Sequence, residues 1–197
     1  MTSNSHSNRI RSQMETNEYI DERSAEMGET AEQMFDKAVK AQGKSVRKAS
    51  RYEERVQHID RWIGDKRWRP NKNQTMRDKP QISVEIKAMK RISRSSDEPQ
   101  SEWLWVEFKN VSGGSGWLYG DATLLATEVE EGFYLLYLKS LRSWAEHKVN
   151  RKEKVTNPTH AYYKSYSRRN EFFSAYSRRI YSWFRNSSKC RVLGWFI

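Results

Sequence analysis

The stretch Ile82–Lys87 constrains the fold more tightly than any other. Ile82, Val84 and Ile86 alternate with Ser83, Glu85 and Lys87. A period of two is the signature of a strand with one apolar and one polar face, so the spacing predicts a strand over Ile82–Lys90 that carries Glu85 and Lys87 on the same side. A second segment, Val56–Ile63 (VQHIDRWI), also reads as a strand and places Asp60 25 residues ahead of Glu85. The loop between them, Gly64–Pro80, is basic and holds two prolines.

Upstream, Met27, Ala31, Met34, Phe35, Ala38 and Val39 follow one helical face, and Gly43 supplies a stop. The pattern predicts a helix from Asn17 or Ser24 to Gln42, with Glu29, Glu32 and Asp36 on its polar side. Downstream, Trp103–Asn110 (WLWVEFKN) alternates as a third strand, and Gly113, Gly114 and Gly116 mark a tight turn. Gly132–Leu138 is apolar throughout, as a strand covered on both faces would be. Lys139–Val149 reads as a short helix capped by Ser140. The segment from about His160 to Phe184 is read as one or two helices rich in Tyr and Arg, because Phe172, Phe173 and Tyr176 have helical spacing. The order of elements implies a mixed α/β arrangement around one central sheet.

Length and charge narrow the function classes. A chain of 197 residues suits one domain with a modest core. The single Cys190 excludes an internal disulfide and a cysteine-based zinc cage, and points to a reducing, intracellular compartment. No run of about 18 apolar residues is present to span a membrane. Residues 1–16 read as a polar, disordered leader without the apolar stretch of a signal peptide. Net charge is +11, and residues 147–197 hold 12 Lys and Arg against Glu153 and Glu171. The same stretch carries 11 of the 25 aromatic residues. A nearly neutral body, residues 17–146, followed by a basic aromatic extension, residues 147–197, implies a polyanion partner, nucleic acid above all. Lys164, Arg168, Arg169, Arg178 and Arg179 are the expected contacts, with arginine forks on phosphates and tyrosines on exposed bases.

Two carboxylates and a lysine on adjacent strands are a minimal apparatus for phosphodiester cleavage. Mg²⁺ is a hard cation typically held by one or two carboxylates and a substrate phosphate. Asp60 and Glu85 supply those carboxylates if their strands are neighbours, and Lys87 would position the attacking water and offset developing charge. The Glu-x-Lys pattern recurs at Glu107-Phe108-Lys109, which is a competing pair on its own strand face. His58 shares Asp60's face, where either a packing role or a water- or phosphate-orienting role fits.

These residues resemble the PD-(D/E)XK phosphodiesterases, the restriction-endonuclease-like superfamily that includes archaeal Holliday-junction resolvases. AEQMFDKAVKAQG matches the helix glutamate and following Gly, HID the strand ending in Asp, and VEIK the (D/E)-x-K strand. The text WVEFKNVSGGSGWLYGDATLLATE is similar to small viral and phage members, with Thr123 where those carry Asp and Ile59 where the nominal motif has Pro. The resemblance spans Glu29 to Leu141. It implies an α/β, restriction-endonuclease-like core with a central mixed β-sheet flanked by helices, followed by a basic C-terminal helical extension. It implies a DNA endonuclease dependent on Mg²⁺ or Mn²⁺, with Asp60 and Glu85 as metal ligands, Lys87 activating water and Glu32 assisting. Dimers are common where both strands must be cut, although no residue pattern marks a homodimer face. Two other readings stay open: a non-catalytic nucleic-acid-binding protein of the same fold, and a viral structural or packaging protein.

Overall fold

The apolar face of the first helix decides where the sheet is covered. In a computed structural model the described residues are 26–177, apart from 68, 70, 74–79, 91–97, 100–102, 111, 158–159, 162 and 169–170; the side chains of 167–177 are not described. Helix α1, residues 26–41, buries Ala31, Phe35 and Val39, while Met34 faces outward. Gly43 follows in the left-handed conformation that glycine accepts at a helix end.

Five strands form the main sheet: β1 (Lys44–Lys48), β2 (Arg61–Asp65), β3 (Gln81–Lys87), β5 (Leu124–Val129) and β6 (Gly132–Tyr137), in the order β1-β2-β3-β5-β6. All neighbours are antiparallel except β3 and β5, which run parallel with Glu85 opposite Leu125 and Lys87 opposite Thr127. The sheet is therefore mixed. The expected strand over Val56–Ile63 starts five residues late, because Glu53–Gln57 forms a π-helical turn and Asp60 stands just before β2 rather than at a strand's end. The expected strand over Ile82–Lys90 ends at Lys87, three residues early.

Strand β4 (Trp103–Lys109) does not join that sheet. It pairs with β9 (Glu171–Ser177), which pairs with β8 (Lys164–Arg168), and β8 lies beside β7 (Asn150–Val155), giving a second sheet ordered β4-β9-β8-β7. Two sheets replace the single one expected. The helical reading of 160–184 fails over 164–168 and 171–177, which are strands. Tyr and Phe suit a pleated surface at least as well as a helix, and β4 offers β9 an antiparallel ladder from Trp103 to Lys109, with a register shift between Glu107 and Lys109. Residues 178–184 lie outside the described residues, as do residues 1–16.

The main sheet is the middle layer. Val84, Ile86, Leu124, Ala126, Phe133 and Leu135 pack beneath α1, with Phe35 edge-on to Phe133 at 5.3 Å. On the other face Leu125 and Leu136 meet Leu104, Val106 and Phe108 of β4 and the buried side of helix α2 (Leu138–Lys148). Strand β5 is thus buried on both faces, as parallel neighbours usually are. Helix α2 begins one residue earlier than expected, and no side chain caps it. Among the described residues no helix is long and apolar enough to cross a membrane.

Candidate active site

A capping box sets the approach to Asp60. Ser50-Arg51-Tyr52-Glu53 has the S-x-x-E form, and its reciprocal bonds are present: the Ser50 N–H donates to Glu53 Oε2 at 2.6 Å, and the Glu53 N–H donates to Ser50 Oγ at 3.3 Å. Trp62 Nε1 donates to the other Glu53 oxygen at 2.8 Å. The Ser50 N–H above all, with the Arg47 guanidinium and the bond to Ser50 Oγ, holds the Glu53 carboxyl down at about 2 against its burial. The π-helical turn that follows ends at His58 in a left-handed conformation, φ 53° and ψ 56°. π-turns are rare and frequently sit at functional sites.

From this turn the chain enters the sheet with Asp60 one step before the Arg61–Val84 pair, opposite Glu85. The Asp60 N–H donates to Val84 O at 2.9 Å, and Ile86 N–H donates to Asp60 Oδ2 at 2.6 Å. The side chain thereby supplies the ladder acceptor that the backbone of β2 has ceased to provide. The carboxylate is fixed against the C-terminal half of β3.

Glu85 and Lys87 face away from α1, toward the second sheet. Glu85 is 3% exposed, and Lys87 Nζ lies 2.5 Å from its Oε1. The ammonium also sits 5.6 Å from the Trp117 ring centroid, a cation–π distance. The element Gly116-Trp-Leu-Tyr-Gly120 closes this side. A Cβ on Gly116 would lie 2.3 Å from Glu107 O, and one on Gly120 would lie 2.6 Å from His58 Cβ, so only glycine permits both approaches. Trp117 N–H donates to Glu107 Oε2 at 3.3 Å.

Electrostatics tie these groups together. Burial, then the charge of Glu85, pushes the Asp60 carboxyl up to about 6, against the pull of Lys87 and the Ile86 N–H. Burial alone would lower Lys87, but Glu85, Asp60 and Glu107 more than offset it and its pKa is raised. His58 is lowered by burial and by Lys87. Glu85 Oε2 is buried without a hydrogen-bond partner, which is costly for a carboxylate oxygen and demands an explanation. No group of three or more His, Cys, Asp or Glu suited to a metal ion occurs among the described residues. The orphaned Glu85 oxygen and the adjacent Asp60 carboxylate do fit a hard divalent cation that takes two protein oxygens and completes its shell with water and phosphate.

Glu32 approaches from α1 but is engaged. Arg61, 5% exposed, binds Glu32 Oε2 at 2.8 Å and Asp36 Oδ1 at 2.8 Å, and donates to Asp60 O at 2.9 Å. Burial raises the Glu32 carboxyl, with Arg61 opposing and Asp60's charge adding to the rise. The helix glutamate therefore reaches the site through Arg61. Comparison with protein-family models, with curated proteins and with solved structures finds no match to this chain.

The rival pair separates. Glu107 is half-buried beside Trp117 and acts on Lys87, whereas Lys109 is exposed at the end of β4, where it bridges to Ser115. Thr123 lies immediately before β5, its hydroxyl 3.1 Å from the Oγ of Ser83, which is two residues before Glu85 along β3. Of the expected nucleic-acid contacts, Lys164 is half-exposed and paired with Glu153, and Arg168 ends β8. Arg169, Arg178 and Arg179 lie outside the described residues. Neither Arg61 nor Trp117 stands out in the sequence. Arg61 was legible only as a buried basic residue opposite Glu32 and Asp36, which needs the packing. Trp117 lies within the GWLYG text but bore no charge to attract notice.

Proposed function

We propose that this chain hydrolyses DNA phosphodiester bonds with Mg²⁺ or Mn²⁺, as a nuclease of the restriction-endonuclease-like type. One observation carries the reading: Glu85 buries an unpartnered carboxylate oxygen beside Asp60, with Lys87 on the same face. The helix bearing Glu32, the adjacent strands β2 and β3 and the mixed sheet support the fold assignment.

Asp60 and Glu85 would hold the ion. Bound there, it would lower the pKa of a water and offset charge on the scissile phosphate. Lys87 keeps its proton because three carboxylates favour the charged form. Its role is therefore donation to the phosphate or the attacking water rather than proton abstraction. Trp117 and Glu107 limit where the ammonium can swing. Arg61 holds α1 and the start of β2 in one position, so Asp60 meets β3 in register. The exposed Arg151, Lys152 and Lys154 of β7 would join the residues expected from the basic C-terminal extension in contacting the DNA backbone.

A second reading keeps the fold and binding but not turnover. It is favoured by the 2.5 Å Glu85–Lys87 pair, which engages the lysine, and by Thr123 standing where the viral and phage proteins that the sequence resembles carry Asp. Incubating the chain with supercoiled, branched and single-stranded DNA, in Mg²⁺ or in EDTA, separates the two. Metal-dependent nicking that vanishes in Lys87→Ala supports the nuclease. Binding that weakens by orders of magnitude between about 50 and 200 mM salt, without nicking, supports the second. Salt-independent binding would count against both.

A further inference from the structure

Beyond the end of β3 the surface carries a shallow, open depression rather than an enclosed cavity. Lys87 forms its inner end, and Lys90, Trp103, Trp105, Thr127 and Glu128 line the rest. On β4, Leu104, Val106 and Phe108 are buried, while Trp103, Trp105 and Glu107 alternate with them and stay half-exposed. The same strand face therefore runs from the Glu107 carboxylate, which acts on Lys87, to two indoles. Tyr166 of β8 extends the aromatic surface, its ring 6.1 Å from that of Trp105. Glu128 accepts the Met89 N–H at 3.0 Å, which fixes its carboxylate to the wall of the depression.

We infer that this depression is a stacking subsite for the base of an unpaired nucleotide next to the phosphate held at Lys87. The occupant follows from charge and shape. Two half-exposed tryptophans bring ring area on which a base can stack, and the exposed Lys90 together with Lys87, itself paired with Glu85, brings positive charge to the flanking phosphates. Intact duplex stacks its bases on each other and cannot present a face to the indoles. The substrate class is thus DNA with an unpaired segment beside the cleavage point: a single strand, flap or branch. The link to cleavage rests on the nuclease reading, whereas base binding does not.

The test uses the full chain in EDTA with fluorescein-labelled oligothymidylate and, separately, a blunt duplex of equal length, read by anisotropy. Trp105→Ala should weaken single-strand binding about 10- to 100-fold and duplex binding much less. Trp105→Leu keeps apolar volume for packing but removes the ring, so it should show the same selective loss. Unchanged single-strand affinity in the Leu variant, or equal losses on both DNAs in a folded variant, overturns the subsite. Asp60→Asn separates this result from the nuclease reading. If Mg²⁺ cleavage depends on Asp60 but single-strand affinity ignores Trp105, the subsite falls and the nuclease stands. If no cleavage occurs in any form yet the Trp105 effect persists, the subsite stands and the nuclease falls.

Discussion

Strands β3 and β4 carry the same three-residue pattern, Glu-x-Lys, with both charged residues on one strand face, and they end up in different chemical settings. On β3 the glutamate is sealed from water, the lysine pairs with it, and a third charged group, Asp60, arrives from the residue just before β2. On β4 the glutamate is half-buried and the lysine is exposed at the strand's end. The difference lies in the neighbours. β3 sits between β2 and β5 in the middle of the sheet, where Asp60 can lay its carboxylate across the ladder. β4 has left that sheet for β9. A short motif thus acquires chemistry from what its strand is hydrogen-bonded to, and Glu107 serves β3's lysine rather than its own.

The contrast breaks first on activity. Asp60→Asn or Lys87→Ala should lower metal-dependent DNA nicking by about 10²- to 10⁴-fold, while Lys109→Gln stays near the parent rate. A larger loss at Lys109 than at Lys87 would reverse the assignment. Next is the support of the β3 side. Arg61→Met leaves Glu32 and Asp36 without their cation and should cost about 3 kcal/mol in urea unfolding. Because both carboxylates are about a quarter exposed, part of that cost is relieved by water.

Metal linkage should be local to β3. Mg²⁺ at about a hundredfold excess over its Kd should stabilise the parent by about 2.7 kcal/mol, a melting shift of roughly 5–10 °C for a chain this long. Glu85→Gln should abolish the shift and Glu107→Gln should retain it, by scanning calorimetry.

The smallest effect concerns the turn that delivers Asp60. Glu53→Gln should cost about 1 kcal/mol near neutral pH, the usual worth of a cap. The Glu53 carboxyl is held at about 2 against an ordinary 4.5. A depressed acid contributes its full stability above its unfolded value and loses it as pH falls toward its folded one. The gap between parent and variant should therefore be constant above about pH 5 and narrow steadily below 4.5.

Much of the site was legible because strand alternation is local. Ile82, Val84 and Ile86 against Ser83, Glu85 and Lys87 place the two charges on one face whatever the partner strand, and Leu104, Val106 and Phe108 do the same for β4. The helix face of Ala31, Phe35 and Val39 was equally plain. The partnership of β4 was not, because its ladder runs to residues more than sixty positions later. The strands β8 and β9 were misread because Phe172, Phe173 and Tyr176 fit a helical spacing as easily as a pleat. The π-turn before Asp60 was hidden by Val56 and Ile59, whose apolar character imitates a strand, although Ser50 and Glu53 announced a cap.

The pairing of β4 with β9 also orders events during synthesis. The β3 cluster has all of its charged members once residue 107 has been made, but β4 finds its ladder partner only after residue 177. Until then Trp103-Leu-Trp-Val-Glu-Phe108 presents an open, apolar strand edge of the kind that templates aggregation. A chain arrested or cut near residue 160 would thus hold its buried charged cluster without the strand that completes β4's ladder, and should precipitate where the longer chain does not.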